Sequence, residues 1–324
     1  MEAHPKEDLL SPSKFKIKHL PQLIVLAFKR WNASDPARLS AVVAYYAVLS
    51  LPALLVIVVN SVGAIWGNDI VAGRLSSQFQ EILGADTANI IEEMIISTQF
   101  SGKSTLATIV GLGTLLFGAT GVFYHLKVSL NQIWELKLTE KISWYRLAKD
   151  RLISFGFVLV LGFLLLISFI LTATISILKD YISTKLPEFV VYVAFIMDWI
   201  LSLAIITLLF GLIFKYLPDA KIRWKTVWVG AFLTATLFVL GEVLLSLYFG
   251  ATNPGSTYGA AGSLILILLW VSYSCLIFFF GAEFTKVFSI KYGYGIIPYH
   301  HFSRVKKKEV IIDKNSNFDE FSDS

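Results

Sequence analysis

The sequence predicts an all-α integral membrane protein that crosses the bilayer about six times. Of its 324 residues, 56% are hydrophobic and only 16% are charged, and the mean hydropathy is +0.67. Soluble domains carry about a quarter of their residues charged. The apolar residues gather in runs of about twenty or more, the length that a helix needs to cross a hydrocarbon core of about 30 Å. These observations place the chain in lipid.

Six apolar runs are predicted to be membrane-spanning helices. Their approximate bounds are Ala37 to Ile65, Ser104 to Leu126, Leu152 to Leu178, Phe189 to Leu217, Thr226 to Phe249 and Gly259 to Phe288. This divides the chain into a cytoplasmic segment (1–36), a six-helix membrane domain (37–288) and a cytoplasmic tail (289–324). The polar composition of the last fifteen or so residues is typical of disorder.

The charges between the predicted spans alternate in sign and set the orientation. Acidic residues dominate the connection after the first span, whereas Lys and Arg precede the first span, follow the second and fourth spans, and recur in the tail. Cytoplasmic loops carry the excess of Lys and Arg, so the N and C termini are predicted to be cytoplasmic. Topology thereby accounts for the net charge of +5. We expect membrane lipids as partners and no nucleic acid.

Two amphipathic segments lie between the first three spans. Residues 67–103 show apolar residues at helical spacing on both sides of Gly84, which predicts a helical hairpin on the outer surface. Residues 127–150 mix Trp134 and Trp144 with cations, which predicts an interfacial helix on the inner face. Small residues in several spans favour close helix packing, and Pro52 is predicted to kink the first span.

The sequence offers no recognisable catalytic or metal-ligand pattern. Ser101 to Thr105 resembles the end of a phosphate-binding loop, but Ser97 stands where that motif needs a glycine. His300 and His301 are adjacent without a further ligand nearby. We therefore expect no catalytic residue, no metal and no cofactor.

Three carboxylates fall inside predicted spans, where a charge at the bilayer centre costs about 2.5 to 3.5 kcal/mol. Asp198 and Glu242 both lie about 12 to 14 Å below the outer face, so they are candidates to share a cavity. Two interpretations stay open: a proton-coupled transport site, and acids that hold helices together. Glu283 lies nearer the inner face, where an ion pair with Lys286 is the simpler expectation.

Short sequences distributed over the predicted spans resemble a known family. They are the stretch from Asp35 to Pro52, Leu130-Asn-Gln-Ile-Trp134, Tyr216-Leu-Pro218 with Trp224 and Gly230-Ala231, and Tyr258-Gly-Ala-Ala-Gly262 with Leu269-Trp270 and Gly281-Ala-Glu283. In this order and spacing they resemble the YihY/BrkB family of bacterial inner-membrane proteins, over about Trp31 to Phe288. The motif positions are Asp35, Arg38, Tyr45, Ser50, Pro52, Asn131, Trp134, Pro218, Tyr258, Gly259, Gly281 and Glu283.

The resemblance implies a multi-pass protein of the bacterial plasma membrane with a transport or lipid-related envelope role. The family also carried an old label as ribonuclease BN. The sequence disfavours that label, because it shows no metal-ligand cluster that would activate water for phosphodiester cleavage. We expect that the protein is not an enzyme.

Three functional hypotheses follow, in order. The first is a transporter or flippase-like protein for a lipid or small amphipathic solute. The alternative is a non-transporting scaffold or assembly factor for envelope enzymes, and a ribonuclease ranks last. A homo-oligomer and an envelope protein partner both stay open.

Overall fold

The computed structural model describes residues 17–83, 85–97, 121–139, 152, 156, 188–252, 261–293, 295–299 and 302–304, and most of these residues are helical. The helices are α1 (Leu20–Ala33), α2 (Pro36–Trp66), α3 (Asn68–Leu83), α4 (Ala85–Ser97), α5 (121–133), α6 (Glu188–Tyr216), α7 (Trp224–Thr252) and α8 (Gly262–Tyr292). The strands are β1 (Leu136–Leu138), β2 (Ala220–Lys221), β3 (Ile297–Pro298) and β4 (Phe302–Arg304).

Four of the predicted spans coincide with long helices of the structure. The bounds of α2, α6, α7 and α8 agree with the predicted first, fourth, fifth and sixth spans to within about four residues. Among the described residues, three stretches are long and apolar enough to cross a membrane, namely Trp199–Tyr216, Trp224–Thr252 and Gly262–Tyr292. Most of the second predicted span and nearly all of the third lie outside the described residues, so the count of six stays a prediction.

Helix α2 begins at a backbone conformation that few residues adopt. Asp35 has a φ of 56° and a ψ of 59°, in the left-handed region, and Pro36 follows at the first helical position. Arg38 Nε donates to Asp35 Oδ2 at 2.9 Å, one turn into the helix. The chain thereby turns sharply from α1 into α2. Helix α2 continues through Pro52.

The amphipathic segment after α2 forms the two helices that were predicted on either side of Gly84. Helices α3 and α4 pack on each other and on α2. Their buried apolar residues include Val71 and Ile91, which join Val59 of α2, Phe249 of α7 and Ile267 of α8 in one cluster. This cluster fixes the hairpin at the end of the bundle where α7 ends and α8 begins.

Helices α7 and α8 are antiparallel and approach through two matched glycine–threonine contacts. A Cβ on Gly230 would lie 1.8 Å from Thr285 Oγ1, and a Cβ on Gly281 would lie 1.8 Å from Thr234 Oγ1. Each threonine hydroxyl donates at 2.7 Å to the carbonyl of the glycine four residues earlier in its own helix. Both hydroxyls are therefore satisfied inside the interface, and neither glycine has space for a methyl group.

The predicted interfacial helix over residues 127–150 is helical only as far as residue 133. Helix α5 ends at residue 133, and Trp134, expected at the membrane interface, is fully buried. Trp134 can be buried because its indole N–H has a hydrogen-bond acceptor: Nε1 donates to the Ala282 carbonyl at 3.1 Å. After this turn the chain is extended in β1. Residues 140–150, with Trp144, lie outside the described residues.

The first part of the predicted tail is ordered against the bundle. Helix α8 continues four residues beyond the predicted end at Phe288, and strands β3 and β4 follow it. Both pairs are antiparallel: β3 pairs with β2, with Ala220 opposite Pro298, and β4 pairs with β1, with Lys137 opposite Ser303. The tail thus joins the connections that follow α5 and α6. Residues 305–324 lie outside the described residues, so their disorder stays a prediction.

We expect Gly281→Ala to destabilise the purified protein by about 1 to 3 kcal/mol, because the added methyl group overpacks the contact with Thr234. Gly250→Ala in α7 is the matched control, since a Cβ there meets nothing within 4 Å. Thermal unfolding in detergent measures both variants. Equal melting temperatures for the two would show that the close approach of α7 and α8 is wrong.

Candidate functional site

The most charged buried site of the described structure centres on Lys286 of α8, whose side chain is 4% exposed. Its Nζ donates to the Ile133 carbonyl at 2.7 Å and to Glu135 Oε1 at 3.1 Å. The same atom lies 3.3 Å from Oε1 and 3.4 Å from Oε2 of Glu283, one turn earlier in α8. The predicted ion pair between Glu283 and Lys286 is therefore present. An ammonium has three donors, and these partners engage all of them.

The geometry of this site depends on how α5 ends. The Ile133 carbonyl lies in the last turn of α5, where helix carbonyls lack partners and a cation is stabilised by the helix dipole. Glu135 has a φ of 59°, the left-handed conformation that reverses the chain at a helix end. That conformation is unfavourable for glutamate. Here it brings the carboxylate back to Lys286 and starts β1 at Leu136.

A second polar cluster lies between α5 and the turn after α6. Asn131 Nδ2 donates to Asp219 Oδ2 at 2.8 Å, and the Asp219 amide donates to Asn131 Oδ1 at 3.0 Å. Lys127 Nζ forms an ion pair with Asp219 Oδ1 at 3.1 Å, and both side chains are largely buried. The Asp219 carbonyl accepts from the amide of Tyr299 at 3.1 Å. Asp219 therefore joins α5, the turn after α6 and the tail.

These two clusters, which we call the α5 ion network, are formed by Lys127, Asn131, Glu135, Asp219, Glu283 and Lys286. The network brings together the family motif that ends at Trp134, the motif around Pro218 and the motif around Gly281. Sequence reasoning missed Lys127, Glu135 and Asp219 as site residues. Lys127 and Asp219 lie within four residues of family motif positions, which is the one sequence signal for them. The charge of Lys127 also fits the positive-inside rule, so its sequence context does not distinguish the two roles.

The other family positions that the structure describes do not join the α5 ion network. Asp35 and Arg38 form their exposed ion pair at the start of α2, and Tyr45 is 58% exposed. Ser50 is buried and donates to the Ala47 carbonyl at 3.1 Å. Pro52 lies farther along the same helix. Tyr258 and Gly259 lie outside the described residues.

Glu242 lies in a narrow groove between α7 and α8. It directly follows Gly241, where a Cβ would lie 2.6 Å from Ile277 Cδ1. The groove is lined by Phe238, Glu242, Leu245, Trp270, Tyr273, Ser274 and Ile277. Two hydroxyl groups therefore share the groove with the carboxyl group, and the remaining lining is aliphatic and aromatic. Glu242 itself is half-buried. The groove has no room for a water molecule, so these groups form a polar patch between the two helices and not a preformed pocket.

Asp198 lies in α6, and its side chain is outside the described residues, so its pairing with Glu242 stays a prediction. The packing of α6 on α7 gives the relative level of the two positions. A Cβ on Gly211 would contact Ala231 and Val227. Residue 229 lies midway between Val227 and Ala231 and is therefore opposite Gly211. Asp198 lies 13 residues before Gly211, and Glu242 lies 13 residues after residue 229. The two positions therefore share a level along the antiparallel pair.

A helical wheel shows which side of α6 position 198 occupies. Residue 198 precedes Thr207, which is buried, by nine residues, which is about 900° of rotation at 3.6 residues per turn. Position 198 is thus on the opposite side of α6 from Thr207. The two acids therefore need separate tests.

The described residues contain no group of three His, Cys, Asp or Glu side chains that could hold a metal ion. In the α5 ion network each charged side chain has an oppositely charged partner. The chemistry available there is binding and orientation by fixed charges. Buried charges in a membrane protein are rare and mark either a functional site or a structural junction.

The fold and these sites define a helical membrane protein with a buried ion network at one end of its bundle. Residues 27–300 match the family described as virulence factor BrkB, and the chain belongs to that family.

Similar proteins carry the name UPF0761 membrane protein. One from Delftia acidovorans (strain DSM 14801 / SPH-1) is 29% identical over 194 residues, which cover 60% of this chain and 44% of that protein. One from Haemophilus influenzae (strain 86-028NP) is 24% identical over 268 residues, which cover 81% of this chain and 93% of that protein. The chain thus spans less than half of the first relative and nearly all of the second. No solved structure matches it.

We expect Lys286→Met to destabilise the protein by about 3 to 5 kcal/mol, because it leaves two carboxylates of a buried network without their cation. Lys137→Met is the matched control, since Lys137 lies nearby on β1 and is exposed. Thermal unfolding of both variants in detergent gives the difference. A Lys286→Met variant as stable as the Lys137→Met control would exclude the network as a structural junction.

We expect the Glu135→Gly variant to be more stable than the Glu135→Ala variant by about 1 kcal/mol. Both substitutions remove the carboxylate, but only glycine also removes the cost of the left-handed conformation. The same two substitutions at Lys137, where φ is negative, should rank in the opposite order. Unfolding temperatures of the four variants test the backbone conformation separately from the ion pair.

Proposed function

We propose that this protein moves a lipid or a small amphipathic solute across the bacterial plasma membrane. The observation that carries the proposal is the groove between α7 and α8, in which Glu242 lies with Tyr273 and Ser274 among apolar and aromatic side chains. The cost of keeping a carboxyl group within a membrane-spanning stretch favours a functional role for it.

The surroundings of the groove support a substrate that enters from the lipid. Next to Glu242 on α7, four side chains are 55% to 66% exposed with respect to the described residues: Leu240, Val243, Leu244 and Leu247. A lipid-like molecule would meet Glu242 where the groove opens to lipid, with its chain along these exposed apolar side chains of α7. Hydroxyl or amine groups on that head would hydrogen-bond the carboxyl group.

The alternative is a non-transporting scaffold for envelope enzymes. One observation favours it: the charges of the α5 ion network are engaged by one another and join α5, the turn after α6 and the tail. A protein built to present a fixed surface needs such a junction. This alternative predicts a stable partner after mild detergent extraction and no flux by the isolated protein.

Flux of labelled phospholipid and of polyprenyl-phosphate lipid in proteoliposomes, with and without a pH gradient, tests the proposal. We expect Glu242→Gln to lower the flux about tenfold, which corresponds to the loss of about 1.4 kcal/mol of interaction. Glu93→Gln, at an exposed site on α4, is the matched control. Asp198→Asn is measured separately, because the two acids lie on different helices.

Each outcome has a definite meaning. Flux that falls in Glu242→Gln but not in Glu93→Gln supports the groove as the substrate site. Unchanged flux in Glu242→Gln removes the groove from the proposal. No flux by folded wild-type protein for any lipid leaves the scaffold as the better explanation.

A further inference from the structure

The connection between α6 and α7 carries an exposed ladder of aromatic rings. Tyr216 and Trp224 pack edge to face with centroids 5.9 Å apart, and Trp224 stacks on Trp228 at 6.0 Å. All three rings remain 38% to 57% exposed. Tyr299 of the tail, also exposed, is held beside the same connection because β3 pairs with β2. Aromatic rings of this kind are typical of the level where lipid headgroups meet the hydrocarbon.

Cations surround this ladder. Lys215 Nζ lies 5.6 Å from the centroid of Trp224, and Lys221 Nζ lies 5.9 Å from that of Tyr299. Arg223 and Lys225 flank Trp224 and are exposed. We call the four rings and four cations the α6–α7 platform: Tyr216, Trp224, Trp228, Tyr299, Lys215, Lys221, Arg223 and Lys225.

The stretch of chain that carries the α6–α7 platform has an excess of positive charge. The segment from Lys215 to Lys225 contains four cations and one acid, Asp219. That acid is engaged by Lys127, which α5 supplies, and by Asn131. Along this stretch, cations therefore outnumber acids by three.

The α6–α7 platform is held in place by contacts inside the protein. Lys215 Nζ donates to the Ile222 carbonyl, which joins the last turn of α6 to the segment before α7. Asp219 fixes the turn between them through Asn131, and the pairing of β2 with β3 fixes its far side. A preorganised arrangement of charges and rings loses less entropy when it binds a ligand than a flexible loop does.

The position of the platform identifies the medium that it faces. One candidate membrane-spanning stretch ends at Tyr216, and the next begins at Trp224. Trp228 lies one turn, about 6 Å, farther along α7. The rings therefore extend from the headgroup level into the upper hydrocarbon, while the cations lie at the headgroup level. Phosphate oxygens are the natural partners of Lys and Arg at that depth.

We propose that the α6–α7 platform binds the phosphate-bearing headgroup of an anionic membrane lipid, with the cations on the phosphate and the rings beside the glycerol and upper chains. This site is separate from the groove at Glu242, and the inference does not require transport. A lipid held here would be an annular ligand of the protein in either functional alternative.

The test uses the full chain in neutral detergent and measures the gain in melting temperature on addition of phosphatidylglycerol over an equal amount of phosphatidylcholine. The variant K221Q/R223Q/K225Q should lose at least half of that gain. The variant K306Q/K307Q/K308Q makes the same change in net charge elsewhere in the chain and should keep it. The wild-type gain should also fall as salt is raised.

Three results would overturn the inference: equal losses in both triple variants, an equal gain with phosphatidylcholine, or an equal gain with inorganic phosphate. The first assigns the effect to net charge, the second to apolar contact alone, and the third to a free anion. If K221Q/R223Q/K225Q is less stable than the wild type in phosphatidylcholine, native mass spectrometry counts the phosphatidylglycerol molecules bound to its folded fraction. A count equal to that of the wild type also overturns the inference.

The two proposals fail separately. Flux that is unchanged in Glu242→Gln, together with a phosphatidylglycerol gain in the wild type, removes the Glu242 groove and leaves the platform. Flux that falls in Glu242→Gln, together with no phosphatidylglycerol gain in the wild type, removes the platform and leaves the groove.

Discussion

The ammonium group of Lys286 is the charge on which this end of the protein depends. A lysine this deeply buried is costly unless every donor has an acceptor and a carboxylate lies nearby. The acceptors come from two elements, since Ile133 and Glu135 belong to the end of α5 and Glu283 belongs to α8 itself. If α5 moved away, Lys286 would lose two of its partners. The position of α5 on α8 is therefore fixed by electrostatics as well as by apolar packing.

The same end of the bundle is fixed by connections that are usually variable. The tail pairs with the strands that follow α5 and α6, and Asp219 connects α5, the turn after α6 and Tyr299. Three segments distant in sequence are thus joined where the helices end. The exposed rings and cations of the α6–α7 platform are presented from this junction. The groove at Glu242 lies farther along α7, so the two sites can be tested independently.

The sequence could predict the long helices but not the contacts at their ends. Apolar runs of helical length reproduce α2, α6, α7 and α8 because hydrocarbon imposes one length on all of them. The burial of Trp134 could not be predicted, since it depends on the Ala282 carbonyl 148 residues away. The ordered tail was missed for the same reason: two- and three-residue strands have no periodicity of their own and form only against β1 and β2. Of the candidate site residues, the ion pair of Glu283 was local in sequence and therefore predictable, whereas the partners of Asp219 were not.

The paired contacts of Gly230 with Thr285 and of Gly281 with Thr234 have a mechanical consequence. Each threonine packs on a glycine of the opposite helix. If α7 shifted along α8 by one turn, both threonines would face residues larger than glycine, and both contacts would clash. The two helices therefore resist shear and move together. Movements between helices are therefore expected where this pair contacts α2 and α6, while α7 and α8 move as one rigid unit.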